Sequence, residues 1–161
     1  MTGDGRRKTD FLPVFGPPSP VFLSPPSNTK DSNLNTPLQP KYKFQKLQTY
    51  QMAIEYVQSD YLISKKLPDR ERFNLSNQIE RAATSIVLNI AEGSTGQSDP
   101  EQNRFLGLAL RSYLETIACL DIIQNQGYVT TEELDTLREK GHKLFIKLSA
   151  FRKSLTSGGT K

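Results

Sequence analysis

The chain is poor in the residues that do chemistry. Of its 161 residues one is cysteine, Cys119, and one is histidine, His142. A lone cysteine excludes an internal disulfide and a zinc site built on paired thiolates, and it fits a reducing compartment such as the cytoplasm. No apolar run approaches the ~20 residues that a membrane-spanning helix needs, so no membrane partner is expected. No stretch reads as a β-strand, so no glycine-rich phosphate loop follows one. Gly93-Ser94-Thr95-Gly96 is a helix stop and turn rather than a nucleotide cradle. His142 and Glu139 have the Glu-x-x-His spacing of carboxylate-bridged di-metal bundles. Such a site needs a second pair and two more inward-facing glutamates, and the pattern turns Glu139 and His142 away from the apolar seam of their helix. With no histidine brought near Cys119 either, no catalytic group, cofactor or metal is expected, and the chain reads as non-enzymatic.

Residues 1–40 also lack a periodic apolar face. They hold most of the ten prolines together with many Ser, Thr and Asn residues, the composition of a disordered arm. Arg6-Arg7-Lys8 followed by Phe11-Leu12 resembles the opening of an export signal, but Pro13, Pro17, Pro18 and Pro20 interrupt the apolar segment such a signal requires. The folded domain is therefore expected over 41–156, followed by a flexible tail at 157–161, and about 120 residues suffice for one core.

Within that domain the period is helical throughout. Leu47, Tyr50, Ile54, Val57 and Tyr61 recur at three and four residues, which predicts a helix from about Tyr42 to Lys66, closed by Leu67-Pro68-Asp69. Asn77–Gly93, NQIERAATSIVLNIAEG, puts Ile79, Ala82, Ala83, Ile86 and Ile90 on one stripe, with Asn74 or Ser76 as cap and Gly93 as stop. Asp99-Pro100-Glu101-Gln102 sets a capping acid, a proline at the first helical position and a capping-box glutamine in order. That third helix runs to Gln126, where Gly127 supplies the left-handed cap. Thr130-Thr131-Glu132-Glu133 opens a fourth, along which Leu134, Leu137, Gly141, Leu144, Leu148, Phe151 and Leu155 keep the seam. Four helices with short connections make an all-α, up-and-down antiparallel four-helix bundle. Gly141 lies on the seam, which suggests close approach of another helix.

A second series implies a second interface. Leu108, Ser112, Glu115, Cys119 and Ile122 fall opposite the main stripe of the third helix, and Arg81, Ser85, Leu88 and Glu92 do the same on the second. Left in water, Leu88, Leu108 and Ile122 would each forgo about 1.5–3 kcal/mol of burial, so these faces are expected to meet in a homo-oligomer, with Arg81 near Glu115. Charge supplies the other signal. Lys140, Lys143 and Lys147 share one side of the fourth helix, Arg152 and Lys153 follow, and no acidic residue occurs after Lys140. Such a row suits RNA or another nucleic acid through counterion release, and Lys41, Lys43 and Lys46 would extend it if the fold brings them close. The formal net charge of +4 favours polyanions only mildly.

At NQIERAATSIVLNIAEG the chain resembles the bacterial four-helix bundle family first described from reading frames within intervening sequences of 23S ribosomal RNA. Leu75, Gln78, Ile79, Arg81, Ala82, Ser85, Ile86, Asn89, Ile90, Ala91, Glu92 and Gly93 carry the pattern. Phe105, Leu106, Ala109, Ser112 and Glu115 match a second block, and Gly127-Tyr128 fits the turn after it. The chain departs at Glu80, where arginine is usual, and at Arg111 and Tyr113, where glycine and leucine are usual. The resemblance implies a homopentamer. It also implies a link to accessory proteins of diversity-generating retroelements, which bind nucleic acid and assist a reverse transcriptase.

Overall fold

In the structure, a computed structural model describing residues 40–96 and 98–157, the expected helices form and pack as an up-and-down bundle. Apart from Pro40 and Ser157, the proposed arm and tail lie outside the described residues. The helices are α1 (Gln48–Ser64), α2 (Leu75–Gly93), α3 (Asp99–Gln126) and α4 (Thr131–Ser157), with 3₁₀ turns at Lys43–Lys46 and Asp69–Glu71.

Each boundary has a local cause. The first helix is shorter than its periodicity suggests, because Leu47 adopts extended geometry (φ −70°, ψ 128°) and separates a 3₁₀ turn from α1. The 3/4 spacing runs straight through that break, so the pattern does not reveal it. Phe44 folds back onto Tyr50 edge-on, their ring centroids 4.9 Å apart, and Tyr42 stacks on Phe44. The cap of α3 falls one residue earlier than expected, at Ser98, which leaves Pro100 within the first two helical positions where its missing N–H costs nothing. The Gln102 side chain donates to Ser94 Oγ across the turn instead of completing a capping box. At the other end Gly127 has φ 66°, the left-handed cap, and the Tyr128 N–H donates back to the Ile123 carbonyl.

The stripe of α2 forms the centre of the core. Ile79, Ala83, Ile86 and Ile90 are all 0 % exposed, as are Leu106 and Leu120 of α3 and Leu134, Leu144 and Leu148 of α4. Backbones pack around a square: α1 touches α2 and α4, α3 touches α2 and α4, and among the described residues the diagonal pairs do not approach. Side chains bridge the α1–α3 diagonal instead. Tyr56 OH of α1 lies 2.7 Å from Thr116 Oγ1 of α3, and Thr116 Oγ1 donates in turn to the Tyr113 carbonyl at 2.7 Å. Both tyrosine rings lie against Gly141 of α4. A Cβ built there would fall 2.7 Å from Cε2 of each ring, so the glycine is what admits the two rings at this level. Gly93 makes a similar allowance between α2 and α3, where a Cβ would stand 2.8 Å from that of Phe105.

Among the described residues two side chains bury polar oxygens that have no hydrogen bond, the Thr49 hydroxyl and the Asp60 carboxyl. Asp60, on α1, is 0 % exposed and neither carboxyl oxygen has a hydrogen bond. Burial, and then the charge of Glu80 on α2, push its carboxyl up to about 8. Glu80 itself accepts a 2.6 Å bond from Ser64 Oγ, one helical turn beyond Asp60.

Candidate nucleic-acid interface

The five basic residues expected to form one patch are divided by the structure. At about 100° per residue, Arg152 sits well round α4 from Lys147, and the two sides of that helix face different neighbours. Lys140 turns toward α1, where its Nζ donates to Ser59 Oγ at 2.8 Å. Lys143 and Lys147 are exposed. Arg152 turns toward α3 and lies half-buried, its Nε donating to Asn103 Oδ1 at 2.8 Å. Lys153 is exposed close by in sequence. Lys43 and Lys46 do not extend the row, because their 3₁₀ turn packs against α1 and α2 rather than α4.

What the fold assembles instead is a groove along the α3–α4 seam. Its first stretch, about 650 Å³, has Arg104, Arg111 and Arg152 around a floor of Gly107, Leu108, Leu110, Leu114 and Phe145. The second, about 590 Å³, continues from Leu114 and Phe145 past Tyr113 and Ile117, and is edged by Arg138, Glu139, His142 and Lys143. The cations differ in availability. Arg138 is held by Asp121 at 2.7 Å and Asp135 at 3.7 Å. Arg104 meets Glu101 at 2.8 Å and lies over the Phe105 ring, but that ion pair is exposed and worth little. Arg111 is exposed on the outer side of α3. The basic row of α4 gives no hint of Arg104 and Arg111, because they belong to another helix and only the packing sets them beside Arg152. Their seven-residue spacing, one face of α3, is the signal that the sequence holds.

The expected subunit faces are also partly redrawn. Ser112 and Cys119 are 8 % and 5 % exposed, so they already lie inside the chain's own bundle. Ser112 donates to Ser85 Oγ of α2 at 3.0 Å, and Asn89 Nδ2 donates to the Ser85 carbonyl at 2.7 Å, which makes a polar seam between two helices of one chain. Burial, followed by the charges of Asp60 and Glu115, raises the Cys119 thiol and leaves it a poor nucleophile. The physical reason is that α3 is flanked by both α2 and α4, so its buried arc is wider than half a turn and takes in the line read as its back. Arg81, Leu88, Glu92, Glu115 and Ile122 remain exposed and Leu108 is half-buried; Leu88 and Ile122 keep 60 % and 49 % of their surface in water.

Among the described residues no cluster of three or more His, Cys, Asp and Glu side chains is arranged to hold a metal, and no helix is long and apolar enough to cross a membrane. No curated protein matches the chain. Among solved structures, a protein of unknown function of the S23 ribosomal protein family from Bacteroides thetaiotaomicron is similar at 25 % identity and a TM-score of 0.61, over 65 % of this chain and 95 % of that one. The profile of one family matches residues 45–150, from the 3₁₀ turn before α1 to the last turns of α4: this chain belongs to the 23S rRNA-intervening sequence protein family.

Proposed function

We propose that the chain is a non-enzymatic, self-associating bundle that binds nucleic acid, RNA foremost, in the cytoplasm. The carrying observation is the α3–α4 groove, where cations from two helices flank one apolar floor and Lys143 stands exposed at its edge. Phosphates bound along such a row release condensed counterions, a gain that needs no particular base sequence. The family description names an intervening sequence of 23S rRNA, which agrees with an RNA partner. Self-association draws on Leu88 and Ile122 beside Arg81, Glu92 and Glu115, while Leu108 belongs to the groove floor, with the pentamer as the ring that the family resemblance implies.

A gel-shift titration across a salt series tests the reading. Wild type should bind a structured RNA with affinity that falls steeply as salt rises. Replacing Lys143 with alanine should flatten that log–log slope by about 0.9, the value of one duplex phosphate that is no longer neutralised. Absence of a shift at low salt would reject nucleic-acid binding. It would leave the second reading, a protein adaptor such as an accessory subunit of a reverse transcriptase, which draws on the nearly unbroken apolar stretch at Tyr113, Leu114, Ile117 and Phe145.

A further inference from the structure

The α3–α4 groove has an asymmetry along its length that duplex binding does not explain. Arg104, Arg111 and Arg152 gather at one stretch, and the floor beyond them is apolar. Arg152 is held in place there. Its Nε is fixed by Asn103 Oδ1, and its guanidinium lies against Gly107, where an added Cβ would meet the central carbon at 3.4 Å. With Nε engaged, the two terminal nitrogens of that guanidinium are the donors left for a ligand in the cleft. Glu101 is the one carboxylate paired here, with Arg104, so the three cations keep a net positive field. Three guanidinium groups match the oxygens of a phosphate better than lysines do, because each presents planar, paired donors. Leu114 is 56 % exposed beside Phe145, an apolar surface open to water next to an anion site.

Building on the nucleic-acid reading, we propose that this cleft binds an unpaired nucleotide: the phosphodiester lies on Arg104, Arg111 and Arg152, and the base lies on the floor at Leu114 and Phe145. A paired base is stacked inside its duplex and cannot reach a floor between two helices, so the arrangement selects single strands, loops or bulges. Arg111 stands where the resembling pattern has glycine, so this guanidinium departs from that pattern.

Fluorescence anisotropy on the full chain tests this, with a labelled single-stranded oligoribonucleotide of about 10 nucleotides and its perfect duplex as probes. The single strand should bind more tightly. Arg111→Ala should lower its log–log salt slope by about 0.7, the value of one neutralised single-strand phosphate. Leu114→Ser should weaken the single strand by roughly fivefold to tenfold with the slope unchanged, and should leave the duplex alone. Both positions are exposed, and circular dichroism melts that match wild type establish that the variants fold; Lys65→Ala, remote from the groove, should bind as wild type. Equal or tighter duplex binding, or wild-type behaviour of Arg111→Ala and Leu114→Ser, overturns the unpaired-nucleotide site and leaves general nucleic-acid binding standing. If neither probe binds at about 50 mM salt, both readings fall together.

Discussion

Replacing Asp60 with asparagine should stabilise this protein at alkaline pH and do little at acid pH. The carboxyl is fully buried, both its oxygens lack partners, and its surroundings add charge of the wrong sign. Glu80 faces it from α2, Tyr56 is one turn away on α1, and Cys119 approaches from α3; burial raises the phenol and the thiol and keeps both neutral, and neither group has a cationic form that could offset the carboxylate. Folding therefore lifts the Asp60 carboxyl from an ordinary 3.8 to about 8. The sign follows directly. Between those two values the folded chain keeps a proton that the unfolded chain has released, so stability falls as pH rises, by about 1.4 kcal/mol per pH unit. Below the lower value both states are protonated, and above the upper one both are ionised and the slope disappears. The whole swing is of order 5 kcal/mol, comparable with the total stability of a small domain. Asparagine has nearly the same shape, cannot ionise and is not exposed to this term. Thermal melts followed by circular dichroism should give similar midpoints for the two proteins near about pH 4, with a gap that widens to roughly 20 °C toward about pH 8. Midpoints that stay parallel across that range, or an asparagine variant that is equally weakened at every pH, would show that Asp60 is not the buried, unpartnered acid described above.

Two further outcomes test the packing. Gly141→Ala gains about 1 kcal/mol in helix propensity but drives a methyl into the rings of Tyr56 and Tyr113, both nearly fully buried, so a net loss of about 1–2 kcal/mol is expected from a urea midpoint. A gain in stability would mean that the rings have room to move. Leu88→Asp combined with Ile122→Asp changes two exposed side chains and should leave the helical signal intact while reducing the light-scattering mass to that of one chain. A wild-type protein already at one chain's mass at micromolar concentration refutes the subunit face outright.

Much of the fold is local and legible residue by residue. The stripe Ile79, Ala82, Ala83, Ile86, Ile90 has one helical period and one buried face, and Gly127 sits where a left-handed residue is required. Each of these is settled within a few residues of chain, so a linear pattern carries it. Gly141 is a partial case: its place on the seam points to a close neighbour, but which side chains fill the space depends on α1 and α3 together. The break at Leu47 is invisible in the pattern because Phe44, in the 3₁₀ turn, stands three residues before Leu47, the same step that a continuous helix would give.

The surfaces are where linear reading and structure part. Periodicity tells which residues of one helix share a face. It does not tell which neighbour covers that face, and so Ser112 and Cys119, assigned by spacing to the back of α3, belong to the inside. In the same way the basic row of α4 is a single line in the chain but is divided between α1, through Lys140 and Ser59, and α3, through Arg152 and Asn103. Asp60 shows the same limit at the core, since its acidity depends on burial by three helices and on Glu80 of another. Helix content, the boundary at Gly127 and the apolar stripe were thus determined by the sequence itself, because hydrogen bonding and side-chain period act over one or two turns. Tertiary structure alone decided which charges meet and which are spent, because electrostatics and desolvation depend on distances between helices far apart in the chain.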